Sequence, residues 1–229
     1  MIAVRKVEER QRQRASRRLT LRAAAEGEVT LGLFDLWLPP EHRIELDLQL
    51  GCELLTYVVT GTLAHALGTH TRALLGPSEL QCATLGLDAN AAHTQINPSL
   101  SEPSHVMQLL VHDPRRTLEP RQEQRRLSFA RRRGVLCLVA GRTAGLGVLP
   151  VQSEITLYSA VLEPGQHMVH AFAAAHSGVL HVLSGELSVT GYVLGPGDTL
   201  HAHGERSLAF TARDHAEVLL GDVHGLTSF

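Results

Sequence analysis

Thr56-Tyr-Val-Val-Thr-Gly61-Thr-Leu-Ala-His65 and Leu180-His-Val-Leu-Ser-Gly185-Glu-Leu-Ser-Val189 read alike: an apolar run, a tight turn at glycine and a second run, with the two glycines 124 residues apart. Downstream, Gly76-Pro-Ser-Glu-Leu-Gln81 echoes Gly195-Pro-Gly-Asp-Thr-Leu200 at an offset of 119. A third echo sets His105-Val-Met-Gln-Leu-Leu-Val-His-Asp113 against the stretch from Asp214 to Asp222, which contains Val218-Leu-Leu-Gly-Asp222. Three echoes in one order divide the chain into two copies of a single module.

The period inside each copy is that of strands. Ile44-Glu-Leu-Asp-Leu-Gln-Leu50 alternates strictly, so Ile44, Leu46, Leu48 and Leu50 take one face and Glu45, Asp47 and Gln49 the other. Val29 to Leu38, Glu53 to Val59, Thr62 to Leu67, Glu79 to Leu85, His93 to Asn97 and Val106 to His112 add short runs broken by Gly, Pro and Asn-Pro. About seven strands per half is the count of a small sandwich or jelly-roll barrel.

Composition agrees. Of 229 residues, 44% are hydrophobic but only 4% aromatic, with 20 Gly and 10 Pro, which favours an aliphatic, turn-rich all-β core over a helical bundle. No apolar run approaches the ~20 residues needed to span a bilayer, and MIAVRKVEERQ is followed by no signal-peptide core, so the expectation is a cytoplasmic protein with no membrane partner. Cys52, Cys82 and Cys137 are odd in number and outside any CxxC, which argues against a disulfide framework or a thiolate zinc site. Either thiol of the first half, Cys52 or Cys82, is a redox candidate only where it is exposed.

Charge is segregated: net +6 over residues 1–22, −9 over 23–114, +6 over 115–133 and −5 over the remainder. Twenty of the 21 basic residues are Arg, and no nucleic-acid reader motif or interleaved aromatic accompanies them, so nucleic acid is not the expected partner. A protein partner held by the basic connector is the alternative use of this charge, with salt sensitivity as its signature. No GxSxG, Walker loop or GxGxxG occurs, and Gly141-Arg-Thr-Ala-Gly-Leu-Gly147 lacks the Lys and following helix of a phosphate loop.

Several stretches carry a family resemblance. Val4-Arg-Lys-Val-Glu-Glu-Arg10, Glu53-Leu-Leu-Thr-Tyr-Val-Val-Thr-Gly61, His93-Thr-Gln-Ile-Asn-Pro-Ser99 and Asp113-Pro-Arg-Arg-Thr-Leu-Glu-Pro-Arg-Gln-Glu-Gln124 resemble signatures of the pirin family of cupin proteins. Leu162-Glu-Pro-Gly165, His181-Val-Leu-Ser-Gly185 and Gly197-Asp198 do so more weakly. The resemblance implies a bicupin, two jelly-roll β-barrels packed face to face. It divides the chain into an N-terminal barrel over 1–113, an Arg-rich connector over 114–133 and a C-terminal barrel over 134–229.

In that family three His and one Glu of the N-terminal barrel hold iron or another divalent metal, and some members cleave flavonols such as quercetin with dioxygen. Counting from Gly61, the His-x-His pair falls on Asp47 and Gln49, and the His-x-Glu pair on His93 and Gln95. Only one ligand type survives. Neutral amides do not replace imidazole and carboxylate around Fe(II). The expectation is therefore a pocket of Asp47, Gln49, His93 and Gln95, with Glu53 adjacent, that holds no metal and binds an unidentified small molecule, with a regulatory role. The alternative is a divergent quercetin 2,3-dioxygenase with Fe(II) or another divalent metal on Asp47, His93 and Gln95.

The C-terminal barrel places Ala171 and Ala173 at the positions of the metal pair. Two other pairs, His167 with His170 and His201 with His203, invite a metal, but no Cys, Asp or Glu stands beside them at ligand spacing, and a polar rim is the simpler reading. His65, His70, His105, His112, His176, His181, His215 and His224 receive no role from the sequence.

Overall fold

Strand alternation builds both halves of the chain. The computed structural model describes residues 1–6, 18–20, 29–47, 51–67, 71–84, 93–113, 117–143 and 145–228. By internal contacts the chain forms two units. One comprises Met1–Arg12, Leu127–Val148 and Glu154–Leu226, the other Gln13–Arg126, Leu149–Ser153 and Thr227–Phe229.

In the unit that starts at Gln13, one sheet runs in the order Arg121–Arg126, Glu79–Thr84, Cys52–Thr60, Ser104–His112, Val29–Leu38, Leu226–Ser228. The second runs Arg18–Thr20, Arg43–Asp47, His93–Ile96, Leu63–Leu67, Thr71–Leu75. Ile44 and Leu46 are buried as the alternation requires, and they meet Leu54, Val58, Leu63, Leu75, Val106 and Leu110 in one aliphatic core. Each such side chain taken from water stabilises the barrel by about 1.5–3 kcal/mol.

The other unit repeats the plan. Its larger sheet carries Ile2–Arg5, Thr199–His203, His176–Ser184, Ala216–His224, Ile155–Leu162 and Cys137–Gly141 in that order; the smaller one carries His167–Ala171, Ser207–Ala212, Leu187–Val189 and Tyr192–Leu194. Leu180, Val182, Leu200, Leu208, Phe210, Val218 and Leu220 form its core. The chain is thus an all-β bicupin.

The duplication extends to local geometry. Gly61 and Gly185 have φ of +78° and +75°, and a Cβ on either would lie 2.7 Å or less from backbone atoms of the neighbouring strand, so no other residue fits these turns. Val58 pairs with Val106, and Val182 with Val218, each pair beside a bulge at the same place. The third echo is therefore out of step by three residues: the structural counterpart of His105 is Glu217. In both copies the Gly-Pro turn is locked by a carboxylate, with Gly76 N–H donating to Glu79 at 2.7 Å and Gly195 N–H donating to Asp198 at 2.9 Å.

Two organisational expectations need correction. Residues 1–6 do not belong with the N-terminal barrel. Ile2–Arg5 pairs antiparallel with Thr199–His203, because that strand otherwise leaves an open row of backbone donors and acceptors. Ile2 and Val4 pack on the C-terminal core, and Lys6 binds Asp198 at 2.7 Å. Nor is 114–133 a bare connector. Arg121–Arg126 is the edge strand beside Glu79–Thr84, with Arg125 paired to Glu123 at 3.2 Å and Arg121 also bound to Glu123. Charge on an edge strand discourages further pairing. The helix Phe129–Arg132 follows, and its Arg132 is buried on Ser159 and Glu217. Among the described residues no helix is long and apolar enough to cross a membrane.

Candidate functional site

The interior of the N-terminal barrel is not uniformly apolar. Thr56 lies between Leu54 and Val58 on the inward face, and its cross-strand partners are Gln81 on one side and Gln108 on the other. From the second sheet, His65 pairs with Gln95, and His93 and Gln95 sit opposite Leu46 and Ile44. Cross-strand partners share a face, so Thr56, His65, Gln81, His93, Gln95 and Gln108 form one polar layer across the core. All six are at most 1% exposed.

The strand that carries His93 and Gln95 is anchored at its end by Asn97. Its Nδ2 donates to the carbonyls of Leu38, Pro39 and Glu102 at 2.8–3.1 Å, and its Oδ1 accepts from Ser99 N–H at 3.0 Å. Within the layer, Gln108 Nε2 donates to Gln95 Oε1 at 2.8 Å and to Thr56 Oγ1 at 3.2 Å. His65 Nδ1 bonds Gln81 Oε1. Since an amide oxygen only accepts, that His65 nitrogen carries the proton and Nε2 presents a lone pair.

Six polar atoms of the layer find no protein partner: His65 Nε2, both ring nitrogens of His93, Gln81 Nε2, Gln95 Nε2 and Gln108 Oε1. A buried polar atom left unpaired costs about 1–3 kcal/mol, so this concentration marks a place built for something polar. The imidazoles are neutral. Burial, and then the neighbouring His65, hold His93 well below its usual value of 6.5. Burial also lowers His65, against the opposing bond to Gln81.

Among the described residues the layer presents no converging set of metal ligands. The His65 and His93 rings are stacked, with centroids 4.1 Å apart and planes 8° from parallel. Imidazole binds a metal along an in-plane lone pair at about 2.0–2.1 Å, and two parallel, stacked rings cannot both aim at one ion. The Gln95 oxygen already accepts from Gln108, and its unpartnered Nε2 is a donor that no cation can use. No group of three or more His, Cys, Asp or Glu that could hold a metal occurs among the described residues.

Of the residues singled out by the sequence, His93 and Gln95 come together in this layer. The Asp47 side chain and Gln49 lie outside the described residues. Glu53 is not beside the pocket. It points from the opposite face of Cys52–Thr60, where its carboxylate accepts from Gln152 N–H and Ser153 N–H at 2.8 Å, from the Ser153 hydroxyl, from Cys82 Sγ at 3.2 Å and from Thr84 Oγ1 at 3.3 Å. It is a clamp on the segment Leu149–Ser153. Burial, reinforced by this carboxylate, pushes the Cys82 thiol well above its usual value, so Cys82 stays a protonated, buried thiol. Cys52 is buried in the apolar core.

The sequence does not single out Thr56, Gln81 or Gln108, and it gives His65 no role. A signal exists in principle, since all four are polar residues at positions where the strand period demands apolar ones. In the C-terminal barrel, His167 bonds Thr211 at 2.9 Å while His170 is buried on Asp222, so that pair is not brought together. His201 and His203 share the face away from the core, where His203 is bonded to Ser177 at 3.0 Å.

Comparison with known proteins agrees with this architecture. Residues 138–223 match the family described as the quercetinase C-terminal cupin domain. A quercetin 2,3-dioxygenase of Escherichia coli strain K12 is 29% identical over 173 residues, 75% of this chain and 72% of that protein. The crystal structure of YhhW from Escherichia coli superposes with a TM-score of 0.75 at 24% identity, covering 100% of both chains. A bacterial pirin YhhW in complex with nickel(II) gives a TM-score of 0.74 at 24% identity, over 99% of this chain and 100% of the other.

Proposed function

We propose that this chain, a member of the pirin family of bicupins, binds in its N-terminal barrel a neutral small molecule with both hydroxyl donors and carbonyl acceptors, and does so without a metal. The observation that carries this reading is the unpaired set of His65 Nε2, His93 Nδ1 and Nε2, Gln81 Nε2, Gln95 Nε2 and Gln108 Oε1. It offers two amide NH2 donors, one imidazole N–H and three acceptors, and none of them is charged. A hydroxylated aromatic ketone of the flavonol kind complements such a set, and quercetin is the probe suggested by the names of the relatives. Burial of the groups makes each hydrogen bond count for discrimination, because a ligand lacking the matching atom leaves a buried partner unpaired.

The second reading is a divergent metal-dependent dioxygenase, favoured by the quercetin 2,3-dioxygenase relative and the nickel(II) complex of a bacterial pirin. The two separate in one experiment. Metal content is measured on untagged protein before and after exposure to Fe(II), Ni(II) and Zn(II), and quercetin is then added to metal-free protein. The proposal expects substoichiometric metal, saturable quercetin binding in the presence of chelator, and loss of that binding in His93→Ala. Stoichiometric metal that disappears in His93→Ala, with quercetin consumed only by the loaded protein, overturns it in favour of the dioxygenase.

A further inference from the structure

The C-terminal barrel, where the family frame places only Ala171 and Ala173, carries a polar constellation of its own. Asp222 stands on the inward face of Ala216–His224, in step with the core residues Val218 and Leu220. Its Oδ2 meets His170 Nε2 at 2.7 Å and its Oδ1 meets His176 Nδ1 at 2.6 Å. The carboxylate only accepts, so both of these ring nitrogens bear protons, and in the neutral form of each ring the lone pair is on the opposite nitrogen, His170 Nδ1 or His176 Nε2.

The surroundings hold this pair of imidazoles in place. Phe172 lies over Gly178 so closely that a Cβ there would overlap the ring, and the same ring meets His170 edge-on at 4.9 Å. Tyr158 also packs against His170 at 4.8 Å, and His224 packs against His176 at 5.2 Å. His176 is the member that reaches a cavity. About 440 Å³ in volume, the cavity is bounded chiefly by Leu138, Arg142, Thr143, Glu154, Thr156 and His176. That volume lies within the usual range of roughly 300–1,000 Å³ for small-molecule sites.

We propose that this cavity is a second small-molecule site, in which Asp222 fixes the His176 tautomer so that Nε2 accepts a hydrogen bond from a hydroxyl of a neutral, polyhydroxylated ligand. The charge balance selects the ligand class. Arg142 and Glu154 are paired across the cavity wall, and the one further charge, the Asp222 carboxylate, is buried behind His170 and His176, so no excess positive charge is offered to an anion. What remains is hydrogen-bonding capacity: the Thr143 and Thr156 hydroxyls, the His176 lone pair, and the outer edges of the Arg142–Glu154 pair. Adjacent hydroxyl groups, each able to donate and accept, match that set. The site is separate from the N-terminal polar layer and does not depend on the function proposed for it.

The test uses the full chain with 15N-labelled histidine. Side-chain nitrogen resonances are followed while D-glucose, D-galactose or myo-inositol is added, with D-gluconate and inorganic phosphate as charged comparisons. The expected result is a saturable shift of His176 Nε2 by at least one neutral polyol, with the His93 resonances unmoved. Thr156→Val, isosteric and suited to a strand, is expected to weaken binding by about fivefold or more while leaving the His170 and His176 tautomers as they were. The inference is overturned if no polyol moves His176 at concentrations up to about 100 mM, if Thr156→Val binds as the parent does, if the charged probes bind in preference, or if His93 responds instead of His176.

Discussion

Gln108 Nε2 donates to Gln95 Oε1 over 2.8 Å inside the N-terminal barrel, and this bond turns the unpartnered NH2 end of Gln95 toward the rest of the polar layer. The motif resemblance sets Gln95 against a metal-binding glutamate of the pirin family. In place of that carboxylate the position presents an amide with an unpartnered donor.

Gln95→Glu tests that reading. The introduced carboxylate would keep an acceptor for Gln108 but bury a negative charge beside two neutral imidazoles. We expect a loss of about 2–4 kcal/mol at pH 8. Burial raises the carboxyl pKa above its unfolded value, so the penalty grows as pH rises and shrinks toward pH 5. Urea unfolding at the two pH values measures it; an equal or smaller penalty at pH 8 contradicts the account.

His93 and His65 predict an acid-side weakness. Both are held below the usual 6.5 by burial, so the unfolded chain takes up protons that the folded chain refuses. Their contribution is complete above pH 6.5 and is lost as pH falls below it, at up to about 1.4 kcal/mol per pH unit for each group. Unfolding free energies between pH 7.5 and 5 are expected to show this slope, and His93→Gln to flatten it by about half. An unchanged slope in that variant sinks the assignment.

Glu53→Gln addresses the clamp on residues 149–153. Five donors converge on the carboxylate, from Gln152, Ser153, Cys82 and Thr84, and an amide turns an NH2 toward some of them. We expect a cost of about 3 kcal/mol. The amide protons of Gln152 and Ser153 should exchange much faster than in the parent, while those of Ser104–His112 keep their order of protection. Unaltered exchange at Gln152 and Ser153 would show that the segment is held by something else.

Thiol titration checks the burial of Cys52 and Cys82 without mutation. Cys137 is half-buried, whereas the other two are buried. In native protein at pH 8, one thiol of the three should react with an aromatic disulfide quickly and two only on unfolding. Fast reaction of Cys82 would restore the redox reading.

Much of the architecture is legible in the sequence, and the exceptions have a common cause. Ile44 and Leu46 alternate with exposed partners, so their strand has a readable phase. Cys52–Thr60 and Ser104–His112 are buried on both faces along nearly their whole length, and an unbroken apolar run has no phase. That is why the face taken by Glu53 cannot be read there and why the third echo falls three residues out of step. The glycine turns need no phase, because Gly61 and Gly185 are demanded by backbone conformation alone. His93 and Gln95 are reached through a motif, whereas Gln81 and Gln108 join them only after three strands have paired. Asp222 likewise meets His170 and His176 from 52 and 46 residues away, a relationship that pairwise spacing does not contain.

The pairing of Ile2–Arg5 with Thr199–His203 also sets a timetable. During synthesis most of the N-terminal barrel emerges while residues 1–6 wait without their partner, and they gain it only after Thr199–His203 has left the ribosome. Closing so long a loop is slow more than it is costly. Until it closes, Thr199–His203 is an open edge, the period in which a nascent chain is most exposed to pairing with a neighbour. A tag or fusion that immobilises the first residues should therefore reduce the yield of folded protein more than its effect on final stability would suggest.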